Sequence, residues 1–365
     1  MPCKETVDAI NYSLNCCWGN PSSTHQKGIE AFLQLNAAHD TIAASIGAKS
    51  EEIIFTSGGS EANNLAIIGS ALSMKRKGNR IVSTTIEHPS VLKALDHLET
   101  LGFEVIKLSP DTDGSVSVNS FENAIDNNTI LVSVMLVNNE TGAINNVAEI
   151  AKTAKRKSDA VVHCDAVQAY GKLPIRVSSL GIDLLSASGH KIHASKGIGF
   201  LYKSKNVTLS PIIHGGGQQN GLRSGTEAMP LIEGLAAAVK ALPNLNEQFK
   251  ITKELCKYAI AKLNEFDFVK LNSSENALPY LLNFSVEGYK AEPLLNALSM
   301  QEIYVSKGSA CAKGQRSYVL SECGLNNDRI DSAIRISFSR YNTKEDIDVF
   351  VQALYDITSK LRRFK

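Results

Sequence analysis

The sequence predicts an α/β fold with a mostly parallel sheet and a second, smaller α/β domain. Short apolar runs alternate with segments of helical periodicity along most of the chain, and polar or glycine-rich segments follow the ends of those runs. The pattern changes after about Pro243. Strand–helix alternation of this kind is typical of a parallel sheet covered by helices on both faces.

The strands of the larger domain are predicted where short apolar runs lie between polar or glycine-containing segments. In chain order these runs are 51–57, 80–86, 103–109, 129–137, 160–166, 183–189 and 197–203. Helical periodicity predicts helices over 61–78, 90–102, 117–125 and 145–157. The first two end at Gly78 and Gly102, because glycine after the last periodic residue is a helix stop signal.

A second domain follows Pro243. Its predicted elements are a long helix over 246–266, a helix over 291–300, and strands over 280–286, 303–306 and 333–339. The last helix begins after Thr343, a favourable N-cap with Asp346 three residues on. We therefore predict a large domain over 15–245 and a small C-terminal domain over 246–365, together with residues 1–14.

Composition and charge exclude several classes of function. The chain has 365 residues, of which 43% are hydrophobic and 21% charged, and its net charge is +1. These values are ordinary for a soluble globular protein and give no support for nucleic-acid binding. No apolar run approaches the roughly 18 residues of a membrane span, and the N-terminus lacks the pattern of a secretory signal. Seven cysteines without an export signal predict reduced thiols in the cytoplasm.

Two motifs at predicted strand ends suggest a phosphorylated cofactor. The stretch "SGGSEAN" (57–63) is a glycine-rich turn that enters a helix, where bare backbone amides bind phosphate. A plain turn capped by Ser60 is the alternative. The stretch "HCDAVQ" places Asp165 at a strand end, where an aspartate is most often a cap or an ion-pair partner. Neither motif is a Walker A loop or a dinucleotide fingerprint.

Lys191 lies in the turn after the strand 183–189, between small residues. Lysine is costly to bury, and one established use of a buried lysine is to form a Schiff base with a carbonyl compound. Pyridoxal phosphate requires such a lysine and an acid at its pyridine nitrogen. Lys191 and Asp165 fit these two roles, and Gln168 is placed to bond the phenolic oxygen of the ring.

Two further loops leave alternatives open. The stretch "HGGGQQNGLRSGTEA" (214–228) is an oxyanion loop, a flexible glycine loop, or an arm that brings a hydroxyl group to a phosphate. The absence of a Gly-x-Ser-x-Gly elbow argues against a serine hydrolase. In "VSKGSACAKG", Cys311 lies between Gly308 and Gly314 and near lysines, which lower a thiol pKa. A small buried thiol is the alternative. No metal-ligand spacing is present, so no metal is predicted.

Taken together, these motifs resemble the cysteine desulfurases of the NifS/IscS-like group, within the class-V aminotransferase family of fold-type-I pyridoxal phosphate enzymes. The resemblance extends from "GNPSSTH" (19–25) to "AIRISFSRYNT" (333–343), with "FTSGGSEANNLAI", "EHPSV", "VNNETG", "SGHKIHASKGIGFLY", "RSGTE" and "GSAC" in the family's order. It implies a large domain with a seven-stranded, mostly parallel sheet. The family's opening segment, which is similar to Asp-Asn-Ala-Ala-Thr-Thr, has no counterpart before "MPCKETVDAI".

The resemblance implies a role for each residue that matches a family motif. Lys191 is the Schiff-base lysine, Cys311 the nucleophile, and Arg335 the group that binds the substrate carboxylate, a task suited to a bidentate guanidinium. The implied contacts of the cofactor are Gly59, Ser60, His88, Asn139, Asp165, Gln168, Ser188, His190 and Thr226. His88 stacks on the ring and takes part in proton transfer, and Thr226 serves the neighbouring subunit of a homodimer.

The implied reaction removes sulfur from L-cysteine, giving L-alanine and a persulfide on Cys311. The persulfide then passes to an acceptor, either an iron–sulfur scaffold or a tRNA-thiolation protein. One alternative is a selenocysteine lyase or another fold-type-I enzyme. The other is a catalytically impaired, N-terminally shortened homologue that acts as a partner-binding subunit.

Overall fold

The computed structural model describes residues 1–308, 316–361 and 363, which divide into two compact units. Unit 1 comprises Met1–Leu108, Val118–Leu136 and Asn146–Leu245. Unit 2 comprises Ser109–Ser117, Val137–Asn145 and Asn246–Lys365. Two short segments from the first part of the chain thus belong to unit 2, which the sequence pattern did not indicate.

Unit 1 contains a seven-stranded sheet in the order β1-β7-β6-β5-β4-β2-β3. Its strands are β1 (Ile53–Thr56), β2 (Arg80–Thr84), β3 (Glu104–Leu108), β4 (Thr129–Met135), β5 (Val161–Asp165), β6 (Leu184–Ser188) and β7 (Gly199–Lys203). All neighbouring strands are parallel except β7, which pairs antiparallel with both β1 and β6. The predicted strands and the mostly parallel arrangement are confirmed.

Eight helices surround this sheet in the described part of unit 1. They are α1 (Lys4–Cys16), α2 (Gln26–Ile46), α3 (Gly59–Met74), α4 (Pro89–Thr100), α5 (Val118–Ala124), α6 (Val147–Lys157), α7 (Val177–Leu180) and α8 (Met229–Lys240). Every residue of β4 is buried, as expected for a strand covered on both faces. Asn146 caps α6 by accepting a hydrogen bond from the Glu149 amide, and basic residues occupy the last turn of α6, where the helix dipole favours them.

The carboxyl ends of the parallel strands form one edge of the sheet, and the motif residues lie along it. Asp165 ends β5, Ser188 ends β6, and His88 follows β2. Since β1 and β6 both pair antiparallel with β7, they run in the same direction, and the glycines after β1 lie at this edge as well. Ligands of open α/β sheets bind at this edge.

The N-terminal helix lies in unit 1, whereas the sequence-based division placed residues 1–14 with the small domain. The physical reason is a close contact between α1 and α8. The Thr6 hydroxyl donates to the Gly234 carbonyl at 3.1 Å, and a Cβ atom at Gly234 would lie only 2.8 Å from Ile10. A small residue on α8 therefore allows the two helices to approach.

Unit 2 contains a three-stranded antiparallel sheet in the order β10-β9-β8. Its strands are β8 (Val269–Leu271), β9 (Leu281–Val286) and β10 (Ala333–Ser337), and its helices are α9 (Leu245–Leu263), α10 (Ala291–Ser299), α11 (Tyr318–Glu322), α12 (Asn327–Asp331) and α13 (Lys344–Lys360). Residues of α9, α10, α13 and the sheet form its core. Thr343 and Asp346 form the capping box predicted for α13.

One predicted strand of unit 2 is wrong. Residues 303–306 do not form a strand; Ser306 alone makes an isolated antiparallel bridge to Arg335. Its amide donates to the Arg335 carbonyl at 3.1 Å, and the Arg335 amide donates back at 2.7 Å. A short apolar run does not distinguish a strand from an extended segment that a sheet edge holds at one point. Among the described residues, no helix is long and apolar enough to cross a membrane.

Candidate active site

The N-terminus of α3 forms a turn of bare backbone amides at the sheet edge. Gly58 is its N-cap residue, with φ at +153°, and contributes no side-chain cap. Gly59 lies so close to the β5 and β6 ends that a Cβ atom there would be 2.6 Å from Val167 Cγ2 and 3.5 Å from Ser188 Cβ. Glycine is therefore required at 59 by close packing. A helix start of this kind attracts an anionic group through its amides and dipole.

Asp165 is a buried carboxylate at the end of β5, with 4% of its surface exposed. Its Oδ1 accepts a hydrogen bond from the Val167 amide at 2.9 Å, and its Oδ2 accepts one from Asn63 Nδ2 at 2.8 Å. Burial raises the pKa of Asp165, although these donors and the nearby charge of Lys191 oppose the rise. A buried acid with this environment is suited to meet a cationic ring nitrogen.

His88 joins the same hydrogen-bond network. Its Nδ1 accepts from the Ser90 amide at 3.1 Å and lies 2.8 Å from Ser90 Oγ. Asn63 Nδ2 donates to Ser90 Oγ at 2.9 Å as well as to Asp165. Because Nδ1 accepts from the backbone, the proton of the neutral ring lies on Nε2. Burial lowers the pKa of His88, so the ring is held neutral.

Lys191 lies in a 3₁₀ turn (Gly189–Ile192) that follows β6 directly. Burial dominates the pKa shifts of His88 and Asp165, and the positive charge of Lys191 adds to the lowering at His88 and opposes the rise at Asp165, so the three side chains lie within electrostatic reach of one another. Beside it, Ser188 Oγ lies 2.9 Å from His190 Nδ1. The turn thus places the predicted lysine near the predicted acid at the same sheet edge.

Gln168 and Thr226 complete the predicted cofactor contacts of unit 1. Gln168 is buried, and its Oε1 accepts a hydrogen bond from Lys172 Nζ at 3.1 Å. Because Oε1 is occupied by that contact, the amide nitrogen of Gln168 remains as its hydrogen-bond donor. Thr226 lies in the loop between β7 and α8, where it is exposed.

Asn139 and Arg335 lie together within unit 2. Arg335 Nη1 donates to the Asn139 carbonyl at 2.6 Å. Among the described residues, the buried Arg335 Nε and Asn139 Oδ1 have no hydrogen-bond partner. Buried polar atoms without partners are rare in folded proteins and point to a bound group or water. Burial lowers the pKa of Arg335, and the charge of Glu140 opposes this effect.

Glu140, also in unit 2, is a residue that sequence reasoning missed. Its side chain is fully buried, Ser317 Oγ donates to its carboxylate, and a Cβ atom at Gly308 would lie 2.6 Å from Oε2. It thus contacts residues on both sides of segment 309–315. Cys311, the predicted nucleophile, lies outside the described residues. Lys307, expected near it, has its ammonium group 3.4 Å from a Glu292 carboxylate oxygen.

Asn63 was also missed as a functional residue, although it lies inside a quoted motif. A signal was available in "SEAN", since Asn63 is four residues after Gly59 and so lies on the same face of α3. Its partner Asp165 is separated from it by 102 positions, however, and no local pattern names that partner. Among the described residues, no group of three or more His, Cys, Asp or Glu side chains could hold a metal ion.

The chain belongs to the aminotransferase class-V family, whose sequence model matches residues 1–350. Within that family its relatives include cysteine desulfurases. Cysteine desulfurase IscS of Dictyoglomus turgidum is 40% identical over 364 residues, which cover 98% of this chain and 92% of that protein. The predicted resemblance to the NifS/IscS-like group is confirmed. Enzymes of this family depend on pyridoxal phosphate.

Solved structures agree with this assignment. A NifS-like protein has a TM-score of 0.93 and 35% sequence identity, and the match covers 99% of this chain and 97% of that one. The structure described as SspA in complex with cysteine has a TM-score of 0.83 and 35% identity, covering 94% and 97% of the two chains. The predicted fold class, a fold-type-I α/β enzyme, is confirmed.

Proposed function

We propose that this chain is a cysteine desulfurase that uses pyridoxal phosphate to remove sulfur from L-cysteine, giving L-alanine and a persulfide on Cys311. The observation that carries the proposal is the network of Asp165, Asn63, Ser90 and His88, within electrostatic reach of Lys191. A relative named cysteine desulfurase and a neighbour solved with cysteine support the same substrate.

The residues of unit 1 fit pyridoxal phosphate. A buried acid with a raised pKa is costly to hold ionised unless a cation faces it, and the pyridine nitrogen of the cofactor would be that cation. The uncapped start of α3 would hold the phosphate through Gly59 and Ser60, with Ser188 and His190 as further contacts and Thr226 supplied by the neighbouring subunit. Bound pyridoxal phosphate supplies an aldehyde for the lysine and a ring that accepts electrons from the substrate α-carbon.

The site residues of unit 1 would then have separate roles. Lys191 would hold the cofactor and, once released, would move a proton at the substrate α-carbon. Asp165 would place its carboxylate against the ring nitrogen, and Asn63 and the Val167 amide fix its two oxygens. His88, neutral and protonated on Nε2, would offer a proton donor beside the ring, and Gln168 would donate from its amide nitrogen to the phenolic oxygen.

Substrate binding and sulfur transfer fall to Arg335 and Cys311. Arg335 would bind the cysteine carboxylate through Nε and a terminal nitrogen, and its carbonyl contact at Asn139 holds the guanidinium in place. The Cys311 thiolate attacks the substrate sulfur, so one C–S bond breaks and one S–S bond forms. The expected acceptor is an iron–sulfur scaffold or a tRNA-thiolation protein. We also propose a homodimer and a cytoplasmic location.

Purified protein tests the proposal directly. Bound pyridoxal phosphate should colour the protein yellow, and borohydride should bleach it by reducing the imine. Sulfide and alanine release from L-cysteine is then measured for wild type, Lys191→Ala and Cys311→Ser. Both variants should lose sulfide release, and Lys191→Ala should also lose the borohydride-sensitive absorbance.

A matched lysine controls for the loss of charge. Lys196 lies in the same loop and is exposed, so Lys196→Ala should keep both colour and activity. Wild-type levels of sulfide from Lys191→Ala and Cys311→Ser would end the proposal. Undiminished turnover in Cys311→Ser alone would instead assign another fold-type-I reaction.

A further inference from the structure

Glu61, in the first turn of α3, binds two different segments of unit 1 with its two carboxylate oxygens. Oε2 accepts a hydrogen bond from the Ser57 amide at 2.9 Å, and Oε1 accepts one from Arg223 Nε at 2.9 Å. Ser57–Ser60 is the turn described above, here called the phosphate turn. One carboxylate therefore connects that turn to the loop around Arg223, which lies much later in the chain.

The ion pair is shielded from solvent. The side chain of Glu61 is 11% exposed and that of Arg223 is 26% exposed. Burial on its own raises the pKa of Glu61, but hydrogen bonds from Arg223 and Ser57 outweigh it, and the pKa lies below its ordinary value. A partly buried charge-assisted hydrogen bond is stronger than an exposed ion pair, since water and salt screen it less.

The loop that Arg223 anchors is the one that carries Thr226. Residues 213–226, here called the Thr226 arm, begin and end side by side, because Ile213 and Arg223 form a parallel bridge. Gln219 Oε1 accepts from the Phe55 amide on β1 at 2.9 Å, and Gln218 Oε1 accepts from the Gly225 amide at 3.0 Å. The arm is therefore built against β1 and the start of α3.

We propose that Glu61 is a positioning residue that fixes the phosphate turn and the Thr226 arm in one arrangement and so sets the affinity of the protein for the phosphate group of its cofactor. This inference rests on the proposed function. Glu61 would not touch the phosphate itself. It acts through Ser57 on the turn, which supplies predicted phosphate contacts of its own chain, and through Arg223 on the arm, whose Thr226 is predicted to contact the phosphate in the neighbouring subunit.

Two ligands that differ only in the phosphate group test this role. Apoprotein is titrated with pyridoxal phosphate and, separately, with pyridoxal, which can form an imine with Lys191 but has no phosphate. Glu61→Gln keeps an acceptor for the Ser57 amide and removes the ion pair with Arg223. We expect about a tenfold weaker binding of pyridoxal phosphate, because a hydrogen bond to a charged group is lost, and no change for pyridoxal.

Arg223→Gln, which breaks the same pair from the other side, should show the same selective loss, and the double variant should lose less than the sum of both. Glu104→Gln is the control, since it removes a 46% exposed ion-pair partner of Arg80 in the same unit and should leave both affinities unchanged. Thermal unfolding of each apoprotein checks that the variants fold, and unchanged pyridoxal binding shows that the lysine pocket is intact.

The results separate the two proposals. A selective loss for pyridoxal phosphate supports the role of Glu61. An unchanged ratio of the two affinities, or an equal loss of both, overturns it while leaving the proposed function standing. Failure of the wild-type chain to bind pyridoxal phosphate at all overturns the proposed function and this inference together.

Discussion

Asn63 offers the sharpest test of the network at the sheet edge. Its amide nitrogen donates to Asp165 at 2.8 Å and to Ser90 at 2.9 Å, and only 1% of the residue is exposed. In Asn63→Ala both bonds are lost, and water cannot easily replace the donor because the site is buried. A hydrogen bond to a charged group contributes about 1.5–3 kcal/mol and a neutral one about 1 kcal/mol. The expected loss of unfolding free energy is therefore about 3 kcal/mol.

The loss should depend on pH. The Asn63 bond favours the ionised form of Asp165, so its removal raises the pKa of Asp165 beyond the elevation that burial already causes. Below the folded-state pKa the carboxyl is protonated and needs less support, so the destabilisation shrinks as the pH falls. Above that pKa the carboxylate is charged, and the full penalty applies.

Denaturant unfolding of the apoprotein at several pH values measures this effect. Asn15→Ala is the matched control, because Asn15 is an exposed asparagine on α1 whose amide donates to a backbone carbonyl one turn back. It should change the unfolding free energy by no more than about 0.5 kcal/mol. If Asn63→Ala were as stable as this control, or if its loss were independent of pH, the proposed support of the Asp165 carboxylate would be wrong.

Three other perturbations have defined outcomes. Gly59→Ala places a methyl group 2.6 Å from Val167 Cγ2, so denaturant unfolding should show a loss of about 1–3 kcal/mol, and pyridoxal phosphate should bind more weakly; native stability and affinity would contradict the packing argument. Burial lowers the pKa of His163 to about 3, whereas in the unfolded chain this histidine takes up a proton below about pH 6.5. The free energy of unfolding therefore falls by about 1.4 kcal/mol for each unit by which the pH drops between these two values. His163→Gln should reduce this dependence of the unfolding free energy on pH, and an unaltered slope would contradict the role of His163. Arg335→Lys should raise KM for L-cysteine about tenfold with a smaller change in kcat, because an ammonium lacks the paired donors; steady-state sulfide release decides, and an unchanged KM would reject the carboxylate role.

The order of strands and helices in unit 1 follows from local sequence. Runs such as 129–137 are continuously apolar because both faces of the strand are covered, and that condition leaves a pattern in the sequence itself. The position of Asp165, His88 and Ser188 at one edge follows in turn, because parallel strands bring their carboxyl ends together. These predictions needed no knowledge of which helix packs where.

Other features depended on contacts between distant segments. The assignment of residues 1–14 to unit 1 depends on the packing of α1 against Gly234. Residues 303–306 pair with the sheet only through a single bridge to Arg335 and so do not form a strand. The sequence pattern of an apolar run is the same whether the run pairs with a neighbouring strand along its whole length or at one residue. Partners in a folded chain are chosen by three-dimensional proximity, which periodicity does not encode.

The sequence by itself determined the type of sheet, the sheet edge at which the motif residues lie and the residue types available there. The tertiary structure alone decided that Asn63 serves both Asp165 and Ser90, that Glu61 holds Arg223, and that Arg335 faces Asn139. The physical reason is that element type depends on neighbours in sequence, whereas hydrogen bonding and desolvation depend on neighbours in space. Residues 102 and 196 positions apart become neighbours only when the chain has folded.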